Sequence, residues 1–205
     1  TINIVGLIKG GLTNFISKEL DCISIDIDSC DYQIVDTILK NSIFPKNICL
    51  EKRKYSLNVP IFIKIDPDLS DSSLKDIADI VLGSNINGVI ISNTSIKRSN
   101  KLVSKYALEK GGISGKPLLE ISNEVLRKFY ILTNGKVPLI GVGGISSGKD
   151  VYEKILNGAS LVQMYTALVY YGPGIIKKIK DELIFLLKKD KYKSISSAVG
   201  KLNKW

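Results

Sequence analysis

The chain has 205 residues, of which 44% are apolar and 24% charged, and a formal net charge of +9. That composition suits one globular domain with a full core and excludes a disordered or low-complexity chain. Its cysteines, Cys22, Cys30 and Cys49, have no CxxC spacing and it has no histidine, which excludes a Cys/His zinc centre and a nucleophile-histidine relay.

In chain order, short apolar β-branched runs alternate with helical patterns. Strands are expected over residues 2–7, 22–27, 61–65, 88–92, 138–142 and 161–164, and helices over 13–20, 34–41, 70–83, 121–133, 149–157 and 174–188. Ser70 and Asp71 ahead of Leu74, and Ser146 and Ser147 ahead of Asp150, suit helix N-caps.

Lysines are densest over residues 177–193, where they alternate with Ile176, Ile179, Leu183, Leu186 and Leu187 at helical spacing. That describes the wet face of an amphipathic helix rather than a phosphate-backbone footprint, so no nucleic-acid partner is expected. No run reaches the ~18 apolar residues needed to cross a bilayer. Residues 1–5 are neither an initiator methionine nor a signal peptide, so the chain reads as soluble and is expected to begin inside a fold.

Strands this uniformly apolar suit a parallel sheet covered on both faces. Strict alternation of strand and helix leaves an open doubly wound sheet or a (β/α)8 TIM barrel. About six strand-helix units can be counted, so as a barrel the α/β chain is incomplete, short of the N-terminal strands of the eight that closure needs.

The chemically suggestive residues cluster at or beyond strand ends, the edge on which barrel enzymes place their sites. Residues 141–148, Gly-Val-Gly-Gly-Ile-Ser-Ser-Gly, leave one strand and enter a helix. Backbone N–H groups bared in this way can approach a phosphate, although a tight turn would also use the glycines. Thr166, after the last strand, can add a hydroxyl to the same anion.

Lys64 places a charge inside an apolar strand, either as a cation for a bound group or as an edge lysine in water. Ser92, Asn93 and Thr94 offer short donors and acceptors for a planar, amide-rich substrate or for an ordinary turn. Residues 111–118, Gly-Gly-Ile-Ser-Gly-Lys-Pro-Leu, allow close backbone approach and start a helix near Pro117.

Taken in order, the Lys-Ile-Asp-Pro-Asp-Leu run at 64–69, Ser-Asn-Thr at 92–94, the two glycine-rich runs and Gln-Met-Tyr-Thr-Ala-Leu at 163–168 resemble class 2 dihydroorotate dehydrogenases. The resemblance is close over 59–200 and faint over 1–58. It implies a single FMN-binding barrel domain across 1–205 that oxidises dihydroorotate to orotate in de novo pyrimidine (UMP) biosynthesis and passes electrons to quinone.

By the same resemblance, Lys64, Ser92, Gly115, Gly143, Gly144, Tyr165 and Thr166 contact FMN, with Asn3 in the place of a further FMN-contacting asparagine. Asn93 and Thr94 hydrogen-bond the orotate ring, Lys64 also serves catalysis, and Ser29 stands where the family carries its serine base. Asp26 and Asp31 occupy the places of substrate-binding asparagines. Ionised carboxylates only accept hydrogen bonds, so these acids are expected to repel an anionic substrate.

Cys30 lies one position beyond the base and so on the other side of an extended strand. The resemblance also implies peripheral attachment to a bacterial cytoplasmic or mitochondrial inner membrane through a region preceding this chain. A decayed or repurposed, non-catalytic FMN-binding barrel fragment is the alternative reading.

Overall fold

A computed structural model describes residues 23–26, 60–98, 102, 104, 106, 107 and 109–203. Within them, β1 (Ile23–Asp26), β2 (Ile61–Ile65), β3 (Gly88–Ile91), β4 (Leu139–Val142) and β5 (Ala159–Gln163) form one parallel sheet in the order β1-β2-β3-β4-β5. A doubly wound sheet reverses its strand order at a switch point. Here each new strand adds beside the last, the progression that curls into a (β/α)8 barrel, of which the described residues supply neighbouring strands.

Helices make the crossovers that parallel strands require. They are α1 (Asp71–Leu82), α2 (Leu119–Leu132) and α3 (Gly148–Leu156), and β5 is followed by α4 (Thr166–Tyr171), α5 (Gly174–Lys189) and α6 (Ile195–Ala198). The expected caps form: Ser70 Oγ accepts from the Ser73 N–H at 3.1 Å, and Ser147 Oγ accepts from the Asp150 N–H at 3.2 Å. Each such cap contributes about 1 kcal/mol.

Helix and sheet meet in a core where Ile63, Ile65, Val89, Ile91 and Leu139 pack on Leu74, Ile77 and Val81 of α1 and on Val125, Leu126 and Phe129 of α2. Burying each of these side chains stabilises the fold by roughly 1.5–3 kcal/mol. Since strand side chains alternate, Phe62 and Lys64 face the opposite way, into the barrel. A second cluster joins Val151 and Ile155 of α3 to Ile175, Ile179 and Leu187 of α5.

The structure corrects several expected details. The last strand runs Ala159–Gln163 rather than 161–164, and Thr166–Tyr171 is helical, in a stretch for which no helix was expected. On α5, Ile175 is buried while Ile176 is 46% exposed, so the apolar stripe begins one residue earlier than the spacing suggested. Pro117 sits in a 3-10 turn, Lys116–Leu118, ahead of α2. The strand expected over 2–7 and the helices over 13–20 and 34–41 lie outside the described residues. No helix among the described residues is long and apolar enough to cross a membrane.

Candidate active site

Because the strands are parallel, their C-terminal ends share one edge, with neighbouring strands ~4.8 Å apart. Asp26 ends β1, Lys64 is the penultimate residue of β2, Ser92 follows β3, Gly143 follows β4, and Tyr165 and Thr166 lie just past β5. Topology alone therefore brings these expected site residues to one edge.

Lys64 has Asp26 and Ile90 as its lateral Cα partners, so it stands on a strand paired on both sides and not at an edge. It is partly buried, which sets aside the reading of a lysine waving in water. Past β3, the Ser92 N–H donates to the Val142 carbonyl at 3.3 Å and the Asn93 N–H to the Ile65 carbonyl at 2.9 Å. These bonds hold the 92–94 segment between the ends of β2 and β4.

Asp68 anchors the chain just beyond this segment. Its carboxylate accepts from the Ser95 hydroxyl and from the Ile96 N–H, both at 2.7 Å. Ser95 and Ile113 exchange backbone hydrogen bonds of 3.2 and 2.7 Å, which brings the 111–118 run over the 92–94 segment. Thr94 lies so close to this run that a β-carbon at Gly112 would fall 2.0 Å from its Oγ1. The Arg98 guanidinium donates to the carbonyls of Ile96, Glu109 and Gly111, joining the two ends of the intervening loop.

On the other side of the edge three loops converge. A β-carbon at Gly143 would stand 2.9 Å from Leu118 Cδ2, one at Gly144 2.5 Å from Leu119 Cβ, and one at Gly115 3.1 Å from Thr166 Cγ2. All three glycines have positive φ, at 106°, 75° and 75° in that order, a conformation in which other L residues are strained. The Thr166 and Ser114 hydroxyls are 3.2 Å apart. Outside the strand ladder, no backbone carbonyl among the described residues accepts the Gly144 N–H. The arrangement is a cradle of backbone free of side chains and a hydroxyl, suited to a phosphate group. Tyr165, beside it, is 79% exposed.

Behind the cradle lie two charged residues that local patterns did not bring out as part of the site. Buried Asp150 accepts from Lys116 Nζ at 2.8 Å and from the N–H and hydroxyl of Ser146 at 2.9 and 3.0 Å. Burial pushes its carboxyl up, but the Lys116, Ser146 and Ser147 hydrogen bonds outweigh this and hold it below its ordinary value. Lys154 is fully buried, and its Nζ donates to Ser122 Oγ at 2.8 Å and Asn123 Oδ1 at 2.9 Å. Burial pulls it down to about 7, against the opposing charges of Asp150 and Glu153.

Lys154 did leave a signal, since it falls on the stripe that Val151 and Ile155 mark as buried. Asn3, Ser29, Cys30 and Asp31 lie outside the described residues, and Asp26 is placed only by its backbone at the end of β1.

A family model described as dihydroorotate dehydrogenase matches residues 12–187. The mitochondrial quinone-dependent dihydroorotate dehydrogenase of Oryza sativa is 53% identical over 142 residues, 69% of this chain and 30% of that protein. The quinone-dependent enzyme of Xanthobacter autotrophicus is 44% identical over 166 residues, 81% of this chain and 46% of its own. The crystal structure of a ligand-free dihydroorotate dehydrogenase from Eimeria tenella superposes with a TM-score of 0.80 at 32% identity, covering 90% of this chain and 56% of that one. The chain thus spans less than half the length of these curated relatives.

Proposed function

Since the chain belongs to the dihydroorotate dehydrogenase family, we propose that it forms the FMN-binding part of a barrel that oxidises dihydroorotate to orotate for pyrimidine synthesis and delivers the electrons to quinone. The observation that carries the reading is the meeting of Gly115, Gly143, Gly144 and Thr166 at the C-terminal edge, where three glycines leave the backbone without side chains and the Gly144 amide has no backbone acceptor outside the strand ladder. Barrels commonly grip phosphate with the loops after their last strands, and the chemistry of this donor set fits the phosphate of FMN.

When bound, FMN supplies the acceptor for the hydride equivalent that leaves the substrate. The chain's own residues do the rest. The Lys64 ammonium, on the barrel side of β2, offers positive charge to the pyrimidine side of the flavin, where electron density grows on reduction. Ser92 and Tyr165 flank the same cofactor, and Asn3 serves it from outside the described residues. Asn93 and Thr94 present an amide and a hydroxyl to the substrate ring. Ser29 takes the substrate proton as base, and Asp26 stands beside the substrate.

The relatives' names as quinone-dependent enzymes support quinone as the oxidant. With quinone comes a peripheral association with the membrane that holds it. The test is direct: the purified polypeptide should carry a flavin spectrum that bleaches on adding dihydroorotate and recovers on adding a soluble quinone. Colourless protein that takes up no added FMN would overturn the cofactor assignment. Bound flavin that dihydroorotate cannot bleach would favour a barrel without turnover.

A further inference from the structure

Lys154 has no part in the function proposed above, yet it is costly to bury: 0% of it is exposed, and an ammonium loses its hydration there. Space has been made for it, because a β-carbon at Gly141 of β4 would stand 3.0 Å from Lys154 Cδ. Among the described residues the hydrogen-bond partners of its Nζ, the Ser122 hydroxyl and the Asn123 side-chain oxygen, are neutral. A methionine would fill the same volume without that cost, so packing alone does not explain the charge.

The position of the charge does. The Ser122 hydroxyl that accepts from Lys154 lies 3.0 Å from the Leu119 carbonyl and 3.4 Å from the Gly143 carbonyl, to which it can donate. In a trans peptide the carbonyl and the following N–H point in opposite directions. Drawing the Gly143 oxygen toward Ser122 of α2 therefore turns the Gly144 N–H to the other side of the peptide, away from Ser122. The other nearby cation, Lys116, is already neutralised by Asp150, which also takes the Ser146 N–H and hydroxyl. Lys154 supplies the charge those groups cannot.

Resting on the proposal that the chain binds FMN, we infer that Lys154 is a positioning residue of the phosphate cradle, placing a buried positive charge behind Gly143 and Gly144 that favours a phosphorylated flavin over an unphosphorylated one.

The charge is pH-sensitive. Burial lowers Lys154 to about 7, while Asp150 and Glu153 on its own helix oppose that shift. On α2, Glu124 is paired with Lys128, and Arg127 donates to Asn203. Glu182 of α5 accepts from the Gly148 N–H, and β4 and β5 carry no ionisable side chain. A phosphate dianion on the far side of the loop favours the protonated lysine. Above about pH 7, binding must then draw a proton in, so affinity falls as pH rises. Riboflavin, which lacks the phosphate, should show no such slope.

The test titrates FMN and riboflavin into the flavin-free intact polypeptide from about pH 6.5 to 9, following flavin fluorescence. The expected result is an FMN affinity that falls with pH, by at most about tenfold per unit, and a riboflavin affinity that stays level. Lys154→Met should remove the slope and weaken FMN on the order of tenfold while leaving riboflavin unchanged. A level FMN profile in the unaltered protein, or equal losses of both flavins in the variant, overturns the role. If the variant does not fold, the two profiles of the unaltered protein still decide. If the unaltered protein binds neither flavin, the cofactor reading fails and this role falls with it.

Discussion

Gly144 lies against the first turn of α2 so closely that a β-carbon there would stand 2.5 Å from Leu119 Cβ and 2.6 Å from the Leu119 backbone nitrogen. Neither the helix nor β4 can move aside without opening the core between them. Gly144 also has φ 75°, which costs a non-glycine residue about 1–2 kcal/mol. Gly144→Ala is therefore expected to lower the thermal midpoint by several degrees and to abolish FMN retention. Gly172→Ala is the control: φ there is 68°, a comparable backbone strain, yet nothing lies within 4 Å of the added carbon, so it should lose stability through that strain and keep the flavin. Equal flavin content in both variants would remove the cradle from the binding site.

Local pattern made the cradle readable in the sequence, because both β4 and its glycine turn are contiguous. Lys64 was equally legible as a charge between Ile63 and Ile65. The supports were not, because they join distant segments: Asp68 reaches Ser95 and Lys116 reaches Asp150, separations of 27 and 34 residues. No periodicity reports such a contact. Helix α4 escaped because its run from Ala167 to Tyr171 is apolar and short, and in so short a run strand and helix patterns cannot be told apart.

Asp68 gives a test of the substrate side alone. Ser95 is 1% exposed, so removing its acceptor leaves a buried hydroxyl unsatisfied at a cost of about 1–3 kcal/mol. It also frees the Ile96 N–H and loosens the segment carrying Asn93 and Thr94. Asp68→Ala should raise KM for dihydroorotate several-fold with FMN content unchanged. Steady-state kinetics on flavin-replete protein will show this, and an unaltered KM would mean that the loop does not position substrate.

For Lys64, the proposed role is to stabilise charge that appears only as the flavin is reduced. Removing a preorganised electrostatic group of this kind typically slows chemistry by about a hundredfold, whereas FMN keeps its phosphate contacts. Lys64→Ala should thus slow anaerobic flavin reduction in stopped-flow measurements far more than it weakens FMN binding. Unchanged reduction kinetics would take Lys64 out of the mechanism.

The pairing of Asp150 with Lys116 predicts a signature in acid. The folded protein holds the Asp150 carboxyl below its ordinary value of 3.8, so folding favours the ionised form. Its contribution to stability is complete above that ordinary value and disappears as pH falls through the lower, folded value. Denaturant midpoints measured from neutral pH downward should therefore start lower for Asp150→Asn and decline less steeply in acid. Other carboxylates titrate in the same window, so the difference between the two curves carries the information. Lys116→Met leaves the Ser146 donors in place and should flatten the acid decline only in part, since the lysine side chain is 63% exposed and solvent weakens its half of the pair. Parallel curves for the unaltered and Asp150→Asn proteins would mean that the carboxylate is not held ionised by the loop, and the cradle's shape would then have to be maintained by its glycine contacts alone.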